Sequence, residues 1–532
     1  MAGSSEQALQ RGQAYTDEQR LALRWSVRDS ATRFRFLRPK CGQCTRGRRL
    51  EDCEYTDNSN RTRAQRLEED ISRIESRIHQ LENAAPAGES VILNHPYQPQ
   101  NDWWVSPEPP SGVTKILESK RLIKDRLDNF LPYAFDWGFF LDPAAFRHSA
   151  LLPHPIGHPA RPSPPLLLAV CLIGIALSQS PSIRAHENTF LSRTLAALPV
   201  SLAGLHPQKA LHALQAEVLL ATYFFATERA LEGKYHTAAA ASLAVPVSVR
   251  NSRGQTLELV ELDAYWTTVI LDKSWAAALG THPNIPDSDD MLRMKWPGQE
   301  DVFFIEPSTV SQFLDGTEEY TPVPSAKTVL AKAAFLWERA KKLVAHWTEG
   351  MTQQQASWFC AKFNLLDSRM QELQSITTVV GHGHENKAGF FMGRSIAYAA
   401  TIQLHGTFAS GNHNAESKRR CLEAAKGILS LVPEAGDLYS ASSAFVNPII
   451  STIWVSACEI AIDEIAAMRA IRLGWATPDD AETVVVSLLN NAMEVMKSKF
   501  QLGPGPWNLM RRDLTKIEQE YVGRLRLFEG GS

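Results

Sequence analysis

The stretch that decides the fold runs over residues 210–245, ALHALQAEVLLATYFFATERALEGKYHTAAAASLAV. Leu211, Leu214, Val218 and Leu219 recur at helical spacing, which predicts two helices joined near Glu232 and Gly233, the second rich in alanine from Ala238 to Ala244. The helical pattern extends outward from about Val113 with few strand signals. Towards the C-terminus, Asn447-Pro448 and Thr477-Pro478 each pair a capping residue with a proline suited to the first helical position, and Gly474 can end the helix between them. Asp479, Asp480 and Glu482 fall where the helix dipole favours negative charge, so residues 448 to about 500 are expected to form a helical hairpin. The expected fold class is therefore all-α, with a large helical domain over residues 116–525.

Composition bounds the rest. A chain of 532 residues, 44% hydrophobic and 21% charged, can bury a large core in three or four units and is neither fibrous nor disordered throughout. Seven cysteines are too few and too scattered for a disulfide scaffold, which favours a reducing compartment. The first residues, MAGSSEQALQRGQAY, lack the apolar core of a secretory signal. The longest apolar run, Leu166 to Leu177, is shorter than the roughly 18 residues of a membrane helix, so no membrane partner is expected.

Charge is unevenly placed. Ten basic residues against four acidic ones give residues 33–66 a charge of +6, so the remainder of a chain totalling −3 carries −9. A basic segment on an acidic body suggests a polyanion partner, the plain alternative being a solvated basic arm. Three cysteines fall inside it, as Cys41-Gly42-Gln43-Cys44 followed by Cys53. Thiolates at Cys-x-x-Cys spacing can hold one zinc ion, and a redox pair is the rival reading. A redox pair expects a strand-to-helix setting in a globular fold. Here the flanks are Arg and Lys with Pro39 ahead, and a segment so poor in apolar residues would need a metal to fold.

Pro39-Lys40-Cys41-Gly42-Gln43-Cys44, the basic Arg46, Arg48 and Arg49, and Cys53-Glu54-Tyr55 together resemble the second half of a fungal binuclear zinc-cluster domain. The resemblance covers residues 37–57. It implies that Cys41, Cys44 and Cys53 are zinc ligands, and that Lys40, Arg46, Arg48 and Arg49 contact phosphates of double-stranded DNA. It also implies a short helix in the major groove, a basic linker over residues 58–66, and a nuclear regulator of RNA polymerase II genes that binds paired GC-rich half-sites. In that family six cysteines hold two zinc ions, and the first half should lie directly upstream. Residues 1–40 contain no cysteine, and three thiolates cannot complete a two-zinc cluster. Two readings stay open: residues 1–36 stand in place of the authentic first half, or the protein has lost autonomous sequence-specific binding and acts by pairing with an intact relative. The remaining Cys171, Cys360, Cys421 and Cys458 lie in apolar or helical stretches and are expected to be small buried hydrophobes.

Leu67, Ile71, Ile74, Ile78 and Leu81 are spaced alternately by four and three residues, the seam of a coiled coil over residues 67–83. Ile71 and Ile78 take the a positions, and Glu68, Asp70, Glu75 and Arg77 flank the seam. Pairing in a homodimer, or in a heterodimer with a related factor, would nearly double the phosphate contacts; the other reading is an amphipathic helix folded onto its own body. Residues 84–115 read as a linker, with six prolines and two glycines between Pro86 and Gly112. Trp103 and Trp104 inside it are candidates for docking on the body or on a partner.

The body resembles the fungal-specific regulatory region that follows such clusters, on the run Gln215 to Ala221, through Gly233, to Ala238–Ala244. This implies an all-α domain that controls activity, in some members through small molecules or partners. No catalytic residue emerges: there is no Gly-x-Ser-x-Gly elbow, phosphate loop or dinucleotide fingerprint. His154 and His158 stand four apart, but Pro153, Pro155 and Pro159 rule out the helix that would aim both at a metal. Gly381-His382-Gly383-His384-Glu385 reads as a polar loop, and Gly503 to Pro506 as a break between helices. An all-α enzyme is the weakest of the readings.

Overall fold

The computed structural model describes residues 120–204, 206, 208–254, 257–298, 308–318, 325–380, 387–409, 414–438, 447–471, 480–500 and 507–525, with residues 46, 68, 69, 71–73, 75, 76 and 79. The chain divides into two units, Met1–Ser106 and Pro107–Ser532. In the second unit the described helices begin with α1 (Lys120–Phe130), α2 (Pro143–Ala150), α3 (Pro164–Ala176), α4 (Pro181–Arg184), α5 (Glu187–Ala203) and α6 (Lys209–Ala226). They continue with α7 (Ala230–Ser252), α8 (Leu259–Leu279), α9 (Asp289–Leu292), α10 (Val310–Asp315), α11 (Ala326–Ala345) and α12 (Gln353–Val380). The series ends with α13 (Lys387–Ala409), α14 (Ala415–Leu438), α15 (Ile449–Ile471), α16 (Asp480–Phe500) and α17 (Asn508–Leu525). Among the described residues there is no strand, only an isolated bridge between Lys295 and Thr309.

Helix α6 organises this unit because it is apolar on every side, as a helix buried in a large core must be. One face, with Leu219, Leu220, Tyr223 and Phe224, belongs to an apolar cluster built with α1, α2, α3 and α5. The other, with Leu214, Val218, Ala221 and Phe225, belongs to a larger cluster reaching through α7, α8, α11 and α13 to α17. At roughly 1.5–3 kcal/mol for each large apolar side chain removed from water, this one helix joins two cores that neither could complete without it. Its one fully buried amide serves a loop: Gln215 Oε1 accepts from the Phe140 N–H at 2.8 Å, and Nε2 donates to the Gly138 carbonyl at 3.1 Å.

Local chemistry sets several ends. Glu258 and Glu261 form a reciprocal capping box at the start of α8, which stops at Gly280 in the left-handed conformation. The Asn447 side chain accepts from the Ile449 N–H at 3.1 Å and donates to the Asp136 carbonyl at 2.8 Å, so it starts α15 and ties it to the first helices. Asp480 and Glu482 lie in the first turn of α16, where Glu482 meets Arg469 of α15 at 3.0 Å. Gly474, Thr477, Pro478 and Asp479 lie outside the described residues.

Two expectations are corrected. The α6–α7 junction falls at residues 227–229, ahead of Glu232 and Gly233. Glu228 makes the turn with φ at +67°, and Gly233 lies inside the helix, where a Cβ would stand 2.6 Å from the Phe225 ring. The glycine permits close packing and breaks nothing. Cys171, Cys421 and Cys458 are buried, but Cys360 is exposed, since Phe359 takes the inward position of α12 and the next residue turns about 100° away. No described helix is long and apolar enough to cross a membrane; α3, the most apolar, buries every residue after Pro164 within the protein.

Candidate nucleic-acid interface and the charge layout of the body

Of the residues expected to hold zinc, touch DNA or form the seam, Arg46 and Ile71 are described. Arg46 is helical and exposed, and Ile71 is helical and 54% exposed. Glu68, Glu69, Ser72, Arg73, Glu75, Ser76 and His79 are also helical and exposed. Lys40, Cys41, Cys44, Arg48, Arg49, Cys53, Leu67, Ile74, Ile78 and Leu81 lie outside the described residues, as do Trp103, Trp104 and the 381–385 and 503–506 segments.

In the body one group of charges is turned inward and paired. Lys273 of α8 is wholly buried, with Nζ 2.7 Å from Asp287, 3.9 Å from Glu338 and 4.4 Å from the Phe335 ring. Lys342 reaches Glu338 at 2.6 Å and Asp287 at 3.0 Å, and Arg339 reaches Asp287 at 3.0 Å. Burial alone would raise the Asp287 carboxyl, but Lys273, Arg339 and Lys342 outweigh it and hold it at about 2. A second pair, Lys332 with Glu318 at 3.0 Å, lies against the Phe313 ring, and Ser308 also donates to Glu318. Such clusters tie together the helices that carry them, and the charges inside them are spent on one another.

One set has the composition of a hydrolase triad. His405 of α13 has Nδ1 3.0 Å from Ser417 Oγ of α14 and Nε2 3.1 Å from Asp367 of α12, which also accepts from Arg420. Catalysis requires an open serine, and Ser417 is 2% exposed and His405 3%. The set therefore acts as a polar tie between three helices. Its members are scattered over 51 positions, from 367 to 417, with no motif, so sequence reading missed it. His154 and His158 do come together, but with rings stacked at 4.1 Å, and no cluster of three metal-ligating side chains occurs among the described residues. Burial pushes the Cys171 and Cys421 thiols up to about 11 and the Cys458 thiol to about 12, so all three are neutral packing groups.

Residues 157–375 match the family model of the fungal specific transcription factor domain. The match begins just before α3 and runs into α12, so it takes in the doubly buried α6 and the Lys273 cluster. It supports the regulatory domain read from the sequence and points to transcription regulation as the general role. No curated protein matches the chain.

Proposed function

We propose that this protein is a nuclear, zinc-dependent regulator of RNA polymerase II transcription that binds paired GC-rich half-sites in double-stranded DNA as a dimer. The observation that carries the reading is co-linearity: a basic segment with Cys41, Cys44 and Cys53, an apolar seam, a proline-rich linker, and then a body whose residues 157–375 match a transcription-factor domain. Lys40, Arg46, Arg48 and Arg49 are assigned to phosphates, and Leu67, Ile71, Ile74, Ile78 and Leu81 to the dimer seam.

The donor set fits zinc in kind, since thiolates are its preferred structural ligands, but three of them serve one ion and not two. Bound there, the metal would supply the fold that few apolar side chains can supply. The cysteine-free residues 1–40 favour a second reading, an α-helical regulator that reaches DNA only by pairing with an intact relative.

Fluorescence anisotropy with a duplex at several salt concentrations tests both. The first reading expects log affinity to fall linearly with log salt, and Arg48→Ala with Arg49→Ala to weaken all sequences alike and lower the salt slope by about 2. If the doubly substituted protein loses only one sequence, the phosphate assignment is wrong. If the parent chain binds no duplex until a six-cysteine relative is added, the second reading holds.

A further inference from the structure

The geometry points to a binding site in the body for a neutral, hydroxyl-bearing aromatic small molecule, in the cleft where α8, α11, α13 and α15 meet. The cleft has a volume of about 430 Å³, and none of its lining side chains is charged. Small-molecule sites run from about 300 to 1,000 Å³ with mostly apolar walls and a few placed polar groups. Here alanines of α8 and α13, Ala399 among them, keep the helices' flanks flat, and Trp337 supplies an aromatic wall. A planar ring fits between such walls, and an ion does not, because no opposite charge awaits it.

The polar groups choose what the ring carries. Thr452 and Ser456 stand one turn apart on α15, and both hydroxyls donate back to their own helix, to the Ile449 carbonyl at 2.7 Å and the Thr452 carbonyl at 3.3 Å. With their protons given to the helix, these hydroxyls can meet a ligand only as acceptors, so the ligand must bring a donor. Gln403 on α13 lines the same space and offers an amide that can both give and accept.

Gly406 lies exposed on the rim of the same space. Glycine inside a helix is destabilising unless packing demands it. On the same helix Gly393 is so demanded, since a Cβ would lie 2.4 Å from Val329, whereas a Cβ on Gly406 would meet nothing within 4 Å. A long side chain at 406 therefore has room to lie across the mouth of the cleft. The other groove of similar size, between α16 and α17, differs in being lined by the charged Glu494, Lys497 and Glu518.

An occupant would touch α8 and α11, inside the residues matched to the transcription-factor domain, and α13 and α15 beyond them. Only the regulatory meaning of that link rests on the proposed function; the site itself does not. The test is ligand-observed NMR on the full chain with 2-naphthol, and with 2-naphthoate as the same ring carrying a charge. We expect 2-naphthol to bind at least about tenfold tighter than 2-naphthoate, Ser456→Ala to weaken it by about three- to tenfold, and Gly406→Leu to abolish it without lowering the thermal midpoint. Should Gly406→Leu fail to fold, Gln403→Leu serves in its place and should weaken 2-naphthol by a similar factor to Ser456→Ala. Equal binding of the two probes, no binding of 2-naphthol, or binding unchanged by these substitutions overturns the inference. A chain that binds 2-naphthol but no duplex would overturn the proposed function and leave the cleft standing.

Discussion

Residues 33–66 carry a charge of +6 and few apolar side chains, whereas α3 in the body buries every residue after Pro164 and α8 seals a lysine completely from water. The first region has too few apolar side chains to build a core of its own, and its net charge suits a polyanionic partner. The second is ordered by its own side chains, and its buried lysines are paired with carboxylates. Folding and recognition thus draw on opposite resources: an unpaired arginine is useful where no core exists, and costly where one does.

The largest test of this contrast is chelation. Removing divalent metal should cut duplex binding by a factor of about 100 or more, because a site formed by thiolates disappears with its ion. The thermal midpoint of the body should not move, since no cluster of three potential ligands occurs among its described residues. Calorimetry and anisotropy on the same chelated sample check both halves. Duplex binding that survives chelation breaks the contrast on one side, and a body that melts earlier breaks it on the other.

Next in size is Lys273→Met. It leaves Asp287 and Glu338 facing each other with Lys342 and Arg339 as remaining partners, and should cost about 3 kcal/mol by chemical denaturation. A neutral outcome would mean that the buried charges of the body are not mutually dependent.

Acid should act on the body through His212, which is 6% exposed and whose Nδ1 accepts from the Ser163 N–H at 3.1 Å. Burial, with His206 nearby, lowers it from 6.5 to about 4. A histidine so lowered takes its proton more readily when unfolded, so its contribution is complete above pH 6.5 and is lost as the pH falls towards 4. The expected loss over that window is about 2–3 kcal/mol. His212→Asn, which can still accept from Ser163, should flatten the curve of midpoint against pH there. Asp287 adds a separate loss between its usual 3.8 and about 2.

These residues also show what the sequence could disclose. The helices of 210–245 were legible because periodicity is local, and the start of α15 because Asn447 caps it directly. The turn at Glu228 was not, since no local pattern marks a left-handed glutamate, and its ion pair at 3.0 Å is with Arg512, 284 positions away. The exposed Cys360 was misjudged because helical character does not say which face turns inward. The tie of Asp367, His405 and Ser417, and the cleft at Trp337 and Gly406, arise only where three or four helices converge, and no local pattern records that convergence.

Glycines give the finest comparison, because the same atom added at two helical positions should act with opposite sign. Gly174 of α3 sits against α1, where a Cβ would stand 2.2 Å from the Arg126 carbonyl oxygen. Backbone cannot yield as a side-chain tip does, so Gly174→Ala should cost about 1–3 kcal/mol despite alanine's better helix propensity. Gly406→Ala meets no obstacle within 4 Å and should gain about 0.5–1 kcal/mol, read as a higher thermal midpoint. Two losses would mean that the surroundings of Gly406 cannot take a Cβ after all, and the contrast between the two glycines would fail.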